Sequence, residues 1–174
     1  LSAVDVRIDG FRVEKAPEGR NRRVFVRHNV GGKRYELRLP EESAGTQKLM
    51  GLAAFLLAAL ERGGTVVVDE LDAKLHPKLL RYVILLFKDP EVNKHGAQLI
   101  FSSQDVSTMR NDVFRRDEIW FAARGEGEAS QLWSLADIHE ANGNLVSKNA
   151  AFDKQYLSGR YGADPYLTRI EEWD

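Results

Sequence analysis

The chain has 174 residues, 43% of them hydrophobic and 29% charged, with 25 Lys and Arg against 26 Asp and Glu for a formal net charge of -1. That length is enough for a core of its own, and the near-neutral balance supplies no strong field for nucleic acid or an anionic membrane. The absence of cysteine excludes disulfides and thiolate metal sites, and the longest apolar stretch, Leu49 to Leu60, is too short to span a bilayer, so a cytoplasmic protein is the default expectation.

Residues 3 to 39 predict antiparallel strands: Val4, Val6 and Ile8 alternate with polar residues, as do Val24 and Val26, then Tyr35, Leu37 and Leu39. Pro17-Glu18-Gly19 and Gly31-Gly32 supply the turns. From Gly45 the pattern is helical to about Glu61 or Arg62, with Gly63-Gly64 as the stop. Leu49, Leu52, Ala53, Leu56, Leu57 and Leu60 make its apolar face. A buried strand over residues 65 to 69 follows, then a helix opened by Pro77, with Leu79, Leu80, Val83, Ile84 and Phe87 turned inward and Asp89-Pro90 ending it. Gln98 to Ser102 reads as another buried strand. Ile119 to Ala122 and Gln131 to Leu135 read as two more, separated by Gly125-Glu126-Gly127, and Ala150 to Leu157 as a helix. With no repeat and no linker, the expectation is one α/β domain over residues 1–174. It has an antiparallel β segment at 1–39 and, over 40–174, a mainly parallel sheet flanked by helices.

The stretch Thr65-Val66-Val67-Val68-Asp69-Glu70-Leu71-Asp72 ends an apolar run in two adjacent carboxylates, with a third two residues later. The C-terminal edge of a strand is where open α/β sheets place ligands. There Asp69 can hold Mg²⁺ on a nucleotide and Glu70 can orient or deprotonate an attacking water, the arrangement called Walker B. The plainer reading is a strand whose terminal acids cap a loop. Upstream lies Glu42-Ser43-Ala44-Gly45-Thr46-Gln47. A glycine at a helix start lets the backbone approach a phosphate, and the helix dipole favours an anion there, although Ser43 or Thr46 could simply cap the helix. Downstream, Ile100-Phe101-Ser102-Ser103-Gln104-Asp105 ends a strand on polar residues. His76 is read as a structural residue at a helix start, because His28, His95 and His139 offer no metal-binding spacing with it. For Arg110, Arg115 and Arg116, pairing with Asp112, Asp117 or Glu118 is the simpler reading beside a role on phosphate or a partner surface.

These motifs, in this order, resemble the C-terminal half of an ABC-type ATPase head. The similar branch includes SMC-like repair ATPases and the abortive-infection, phage-defence ATPases of bacteria. There the signature reads Glu-Ser-x-Gly-Thr, the Walker B runs into Leu-Asp-x-x-Leu-His-Pro, and a later segment reads Arg-Arg-Asp-x-Ile-Trp-Phe. The matching residues here are Glu42 to Thr46, Leu71 to Pro77 and Arg115 to Phe121, with Tyr156 to Ala163 similar to the family's tail. The resemblance covers residues 35 to 167. It implies a partial P-loop NTPase fold that uses ATP and Mg²⁺, with Asp69 as metal ligand and Glu70 and Gln104 as catalytic residues. Ser43, Gly45, Thr46, Gln47 and Asp72 would meet the nucleotide of a second ATPase head, so that function needs a dimer formed on ATP; for Asp72, capping ahead of Pro77 is the alternative. Control of a nuclease or toxin effector in bacterial defence is the implied biology.

The chain departs from this pattern twice. It has no Gly-x-x-x-x-Gly-Lys-[Ser/Thr] phosphate loop (Walker A); Gly31-Gly32-Lys33-Arg34 lacks the first glycine and the hydroxyl residue and reads as a hairpin turn. In the family that loop precedes the signature, and this chain starts at Leu1, so the expectation is the C-terminal portion of a larger ATPase, inactive without an N-terminal half. Gln104 stands where the family usually has His followed by Asp. A glutamine can orient water but cannot become cationic, which predicts slow hydrolysis. Two other classes stay open: a Mg²⁺-dependent nuclease using Asp69, Glu70, Asp72 and Asp105, for which the sequence has no surplus of basic residues, and a nucleotide-free interaction module. Nucleic acid is left open as a partner.

Overall fold

A computed structural model of the protein describes residues 8–15, 22–124, 129–140 and 143–163. The chain divides into two compact units, Leu1–Gln104 and Asp105–Asp174.

The first unit opens with three antiparallel strands, β1 (Ile8–Lys15), β2 (Arg22–Val30) and β3 (Lys33–Arg38), in the order β1-β2-β3. Val4, Val6 and the Pro17 to Gly19 turn fall outside the described residues, and the strand runs onward from Ile8. The pleat sorts the side chains: Phe11, Val26 and Leu37 are cross-strand partners on one face, while Arg12, Phe25 and Arg38 align on the other. On that polar face the Arg12 guanidinium lies 4.4 Å from the centre of the Phe25 ring and donates to Glu36 at 2.7 Å. Hydrogen bonding from Arg12 holds the Glu36 carboxyl below its ordinary range. Gly31 and Gly32 form the β2-β3 turn with φ of 59° and 78°, the two positive values that a type I′ hairpin requires. The hairpin reading of Gly31-Gly32-Lys33-Arg34 is therefore the one the fold adopts.

After a short 3-10 turn at Leu39–Glu41, helix α1 (Ala44–Arg62) runs from its cap at Ser43 to a left-handed Gly63. Thr46, Leu49, Leu56, Ala59 and Leu60 are buried along it. Leu57, expected on the same face, is 58% exposed, because it sits at the edge of the stripe centred on Leu49, Leu56 and Leu60. Strand β4 (Thr65–Val68), helix α2 (Pro77–Lys88) and strand β5 (Gln98–Phe101) then make a βαβ unit, with β4 and β5 parallel. Leu80, Val83 and Ile84 are buried on α2. Ala59, Leu60 and Ala97 form a core onto which Val66, Leu86 and Phe87 pack.

Both strands were expected to be buried throughout, and here the structure differs. Val67 is 73% exposed and Ile100 is 55% exposed. The two are register partners and share a face; the pleat turns them away from Val66, the residue that meets the helices.

The second unit pairs β6 (Trp120–Arg124) with β7 (Ser130–Ser134) antiparallel and adds a short helix, α3 (Phe152–Leu157). Each strand begins one residue away from its predicted start, the helix begins at Phe152 rather than Ala150, and Gly125 to Gly127 lie outside the described residues. Ile119, Phe121, Leu135, Val146, Phe152 and Tyr161 form its core. The Phe121 ring stacks on Tyr156 at 5.7 Å and lies 5.3 Å from Tyr161. Arg110 pairs with Asp112, and Arg115 with Asp117 and Glu118, so the salt-bridged reading of these two arginines holds. The architecture is α/β with an antiparallel N-terminal layer. Among the described residues no helix is long and apolar enough to cross a membrane.

Candidate functional site

Strands β4 and β5 end side by side, with Val68 opposite Phe101. The next residue of each strand, Asp69 and Ser102, therefore meets the other at the C-terminal edge. Ser102 Oγ donates to Asp69 Oδ1 and accepts from the Glu70 amide at 2.8 Å. The Ser102 amide donates to the Val68 carbonyl at 3.1 Å, and the Ser102 carbonyl accepts from the Leu71 amide at 3.0 Å. Asp69 and Glu70 are both exposed. Glu70 has φ of 48° and Lys74 φ of 65°, a left-handed conformation that costs a residue with a Cβ about 1–2 kcal/mol. Strain of this kind persists only where neighbours over-determine it. At Glu70 the amide is held by Ser102 and the carbonyl by Lys48 Nζ, reaching from the second turn of α1.

The start of α1 packs on the other end of the same loop. Ser43 Oγ accepts from the Thr46 amide at 3.1 Å and lies 2.8 Å from Thr46 Oγ1, so Ser43 is the helix cap that its position predicts. Gln47 Nε2 donates to the Glu42 carbonyl at 2.8 Å, which commits that side chain to the turn itself. Glu42 is tied back to β2 by His28, whose Nε2 lies 2.6 Å from Glu42 Oε1. A Cβ at Gly45 would lie 2.7 Å from the Lys74 carbonyl oxygen. The close approach that Gly45 allows is thus to the chain's own backbone.

Asp72 and Gln104 complete the edge. The Gln104 amide donates to Asp72 Oδ2 at 3.3 Å, while Asp72 Oδ1 is shielded from solvent without a hydrogen-bond partner. The Gln104 side chain is exposed. Capping by Asp72 ahead of Pro77 is not what the fold uses: His76 caps α2, its Nδ1 accepting from the Lys78 amide at 3.1 Å. That bond leaves the imidazole proton on Nε2 when the ring is neutral.

One edge therefore gathers Asp69, Glu70, Asp72 and the Gln104 backbone, with Gly45 against the end of their loop. Ser102 and Lys48 were missed by sequence reasoning. Ser102 lies in the Ile100 to Asp105 stretch, where the sequence reads it as the last residue of the strand and gives it no role of its own. In the second unit, Asp105 accepts from the Ser107 amide at 2.7 Å and from its hydroxyl at 2.9 Å, capping a short turn. Among the described residues no group of three or more His, Asp or Glu could hold a metal on its own. A lone exposed carboxylate suits Mg²⁺, which is commonly bound through one or two carboxylates with waters and substrate phosphates filling the rest. Asp69 meets that requirement, because Ser102 occupies Oδ1 and leaves Oδ2.

Residues 3–110 match the sequence model of a family described as AAA domain, putative AbiEii toxin, Type IV TA system. A solved structure described under "Structural biochemistry of ATP-driven dimerization and DNA stimulated activation of SMC ATPases" is similar in fold, with a TM-score of 0.51, 18% identity and 72% of each chain covered. No curated protein matches the chain.

Proposed function

Because this chain belongs to the AAA-domain family described as putative AbiEii toxin, Type IV TA system, we propose that the β4-β5 edge is the hydrolytic part of an ATPase site. Asp69 is the residue that would hold Mg²⁺, which when bound neutralises charge on the nucleotide phosphates. Glu70 takes the proton of the attacking water on its carboxylate, and Gln104 orients that water or the terminal phosphate. The observation that carries this reading is the pairing of Asp69 with Glu70 at the end of a parallel strand, with Glu70 held in a left-handed conformation from both sides of its backbone.

The signature turn, Ser43, Gly45, Thr46 and Gln47, together with Asp72, belongs in this proposal to the face that a second ATPase head meets when ATP brings two heads together. Ser43 and Gln47 are the exposed side chains of this turn, whereas Thr46 is buried with its hydroxyl 2.8 Å from Ser43 Oγ. Contact with the other head's nucleotide therefore falls to Ser43, Gln47 and the backbone of Gly45, with Thr46 holding Ser43 in place. The sequence contains no phosphate-loop motif, so the amides and lysine that cradle the phosphates come from outside these 174 residues. We place the ATPase in the cytoplasm, controlling a nuclease or toxin effector in bacterial defence. The nuclease alternative gains nothing from Asp105, whose carboxylate is engaged with Ser107.

The deciding experiment measures ATP binding and hydrolysis by the full-length protein and its Glu70→Gln variant. A base or water-orienting residue contributes about 10²- to 10⁴-fold. We expect turnover to fall by that factor while Mg-ATP still binds. Loss of ATP binding with the substitution would make Glu70 a structural residue and overturn the assignment.

A further inference from the structure

Ser102 touches four consecutive residues of the neighbouring strand end. Its amide bonds to Val68, its hydroxyl to Asp69 and Glu70, and its carbonyl to Leu71. The two backbone bonds are open to any residue at this position. The two made by the hydroxyl are not, and they fall on the two residues that carry the carboxylates.

A serine hydroxyl has one proton to give and lone pairs to receive. Here the proton goes to Asp69 Oδ1 and a lone pair receives the Glu70 amide, so one oxygen fixes the rotamer of the first carboxylate and the backbone of the second. Glu70 needs such a constraint, because φ of 48° is unfavourable for a residue with a Cβ. Released, its backbone has a lower-energy conformation to move to, and its carboxylate would swing with it. Lys48 and the Ala73 amide on the Glu70 carbonyl, with the Leu71 amide on the Ser102 carbonyl, hold the following peptide unit, and the Glu70 amide of the preceding one is left to the Ser102 hydroxyl.

We propose that Ser102 is a positioning residue that sets the orientation of Asp69 and Glu70 together, so that metal ligand and base are aligned by a single hydroxyl before any nucleotide arrives. This rests on the ATPase reading for its functional consequence but not for its geometry.

Two measurements on the wild type, Ser102→Ala and Ser102→Thr separate the two. The first is residue-resolved amide hydrogen exchange without nucleotide. Loss of one hydrogen bond opens its donor locally, so Ser102→Ala should raise Glu70 amide exchange about tenfold while Leu56 and Val83 stay unchanged. Ser102→Thr, which keeps the hydroxyl, should stay within about threefold of the wild type. The second is hydrolysis by the full-length protein: Ser102→Ala should lower kcat at least about tenfold, with KM for ATP within about threefold and the half-saturating Mg²⁺ concentration raised, and Ser102→Thr should restore all three. Unchanged Glu70 exchange in Ser102→Ala, a rise spread evenly over the first unit, or failure of threonine to rescue would overturn the proposal. So would a normal kcat in a variant whose Glu70 amide has opened. If the wild type hydrolyses no ATP, the ATPase reading and the catalytic half of the proposal fall, while exchange still decides whether Ser102 sets the loop.

Discussion

At Gly45 a single methyl group would meet the Lys74 carbonyl oxygen at 2.7 Å, closer than packed atoms tolerate, and the obstacle is backbone rather than a movable side chain. Gly45→Ala is therefore expected to cost about 1–3 kcal/mol through overpacking, read as a lowered melting temperature. An unchanged melt would mean that the Lys74 carbonyl yields freely. Gln104 poses a chemical question. Its exposed amide can orient water but cannot carry charge, and a missing charge-assisted hydrogen bond is worth about 1–2 kcal/mol, on the order of tenfold in rate. Gln104→His is accordingly predicted to raise ATP turnover by about that factor in the full-length protein; an unchanged or slower rate counts against the role proposed for this position. Asp69, Glu70 and Gly45 were legible in the sequence because residue type and spacing carry them. Ser102 and Lys48 were not, because their bonds to Glu70 span 32 and 22 residues and exist only once β5 and α1 have packed beside the loop.

Among the elements, α1 shows how far periodicity reaches. Its start, its stop at Gly63 and most of its buried face follow from the sequence, yet adjacent leucines differ: Leu56 is 4% exposed and Leu57 is 58% exposed. Leu56→Ala should cost about 2–5 kcal/mol, whereas Leu57→Ala should stay within about 0.5 kcal/mol, a contrast that denaturant titration of the two variants measures directly. Equal costs would mean that the exposed side of α1 is covered in solution. Strands β4 and β5 were read correctly in place and direction but not in burial. An unbroken apolar run signals a strand with cover on both faces, and the sequence carries no record of which faces the helices reach. The result is a bare side at Val67 and Ile100.

For the molecule as a whole, titration gives a handle on the second unit. Burial pushes the Tyr161 phenol from an ordinary 10.0 up to about 12, and its hydroxyl donates to Gln155 Oε1 at 2.6 Å. The raised value means that the unfolded chain releases its proton first. Stability tied to Tyr161 is thus complete below about pH 10 and is lost as the pH rises towards 12. Tyr161→Phe should flatten that alkaline loss when unfolding is followed across the window, and an identical slope in the two proteins would refute the assignment. The bare side of the β4-β5 pair has a thermodynamic consequence of another kind. Val67 and Ile100 remain largely wetted in the native state, so unfolding transfers little of their surface into water. The heat capacity of unfolding grows with newly exposed apolar area, about 0.45 cal/mol/K per Å², so the exposed parts of Val67 and Ile100 add nothing to it. These two apolar residues contribute less to the curvature of stability with temperature than their place in a strand suggests.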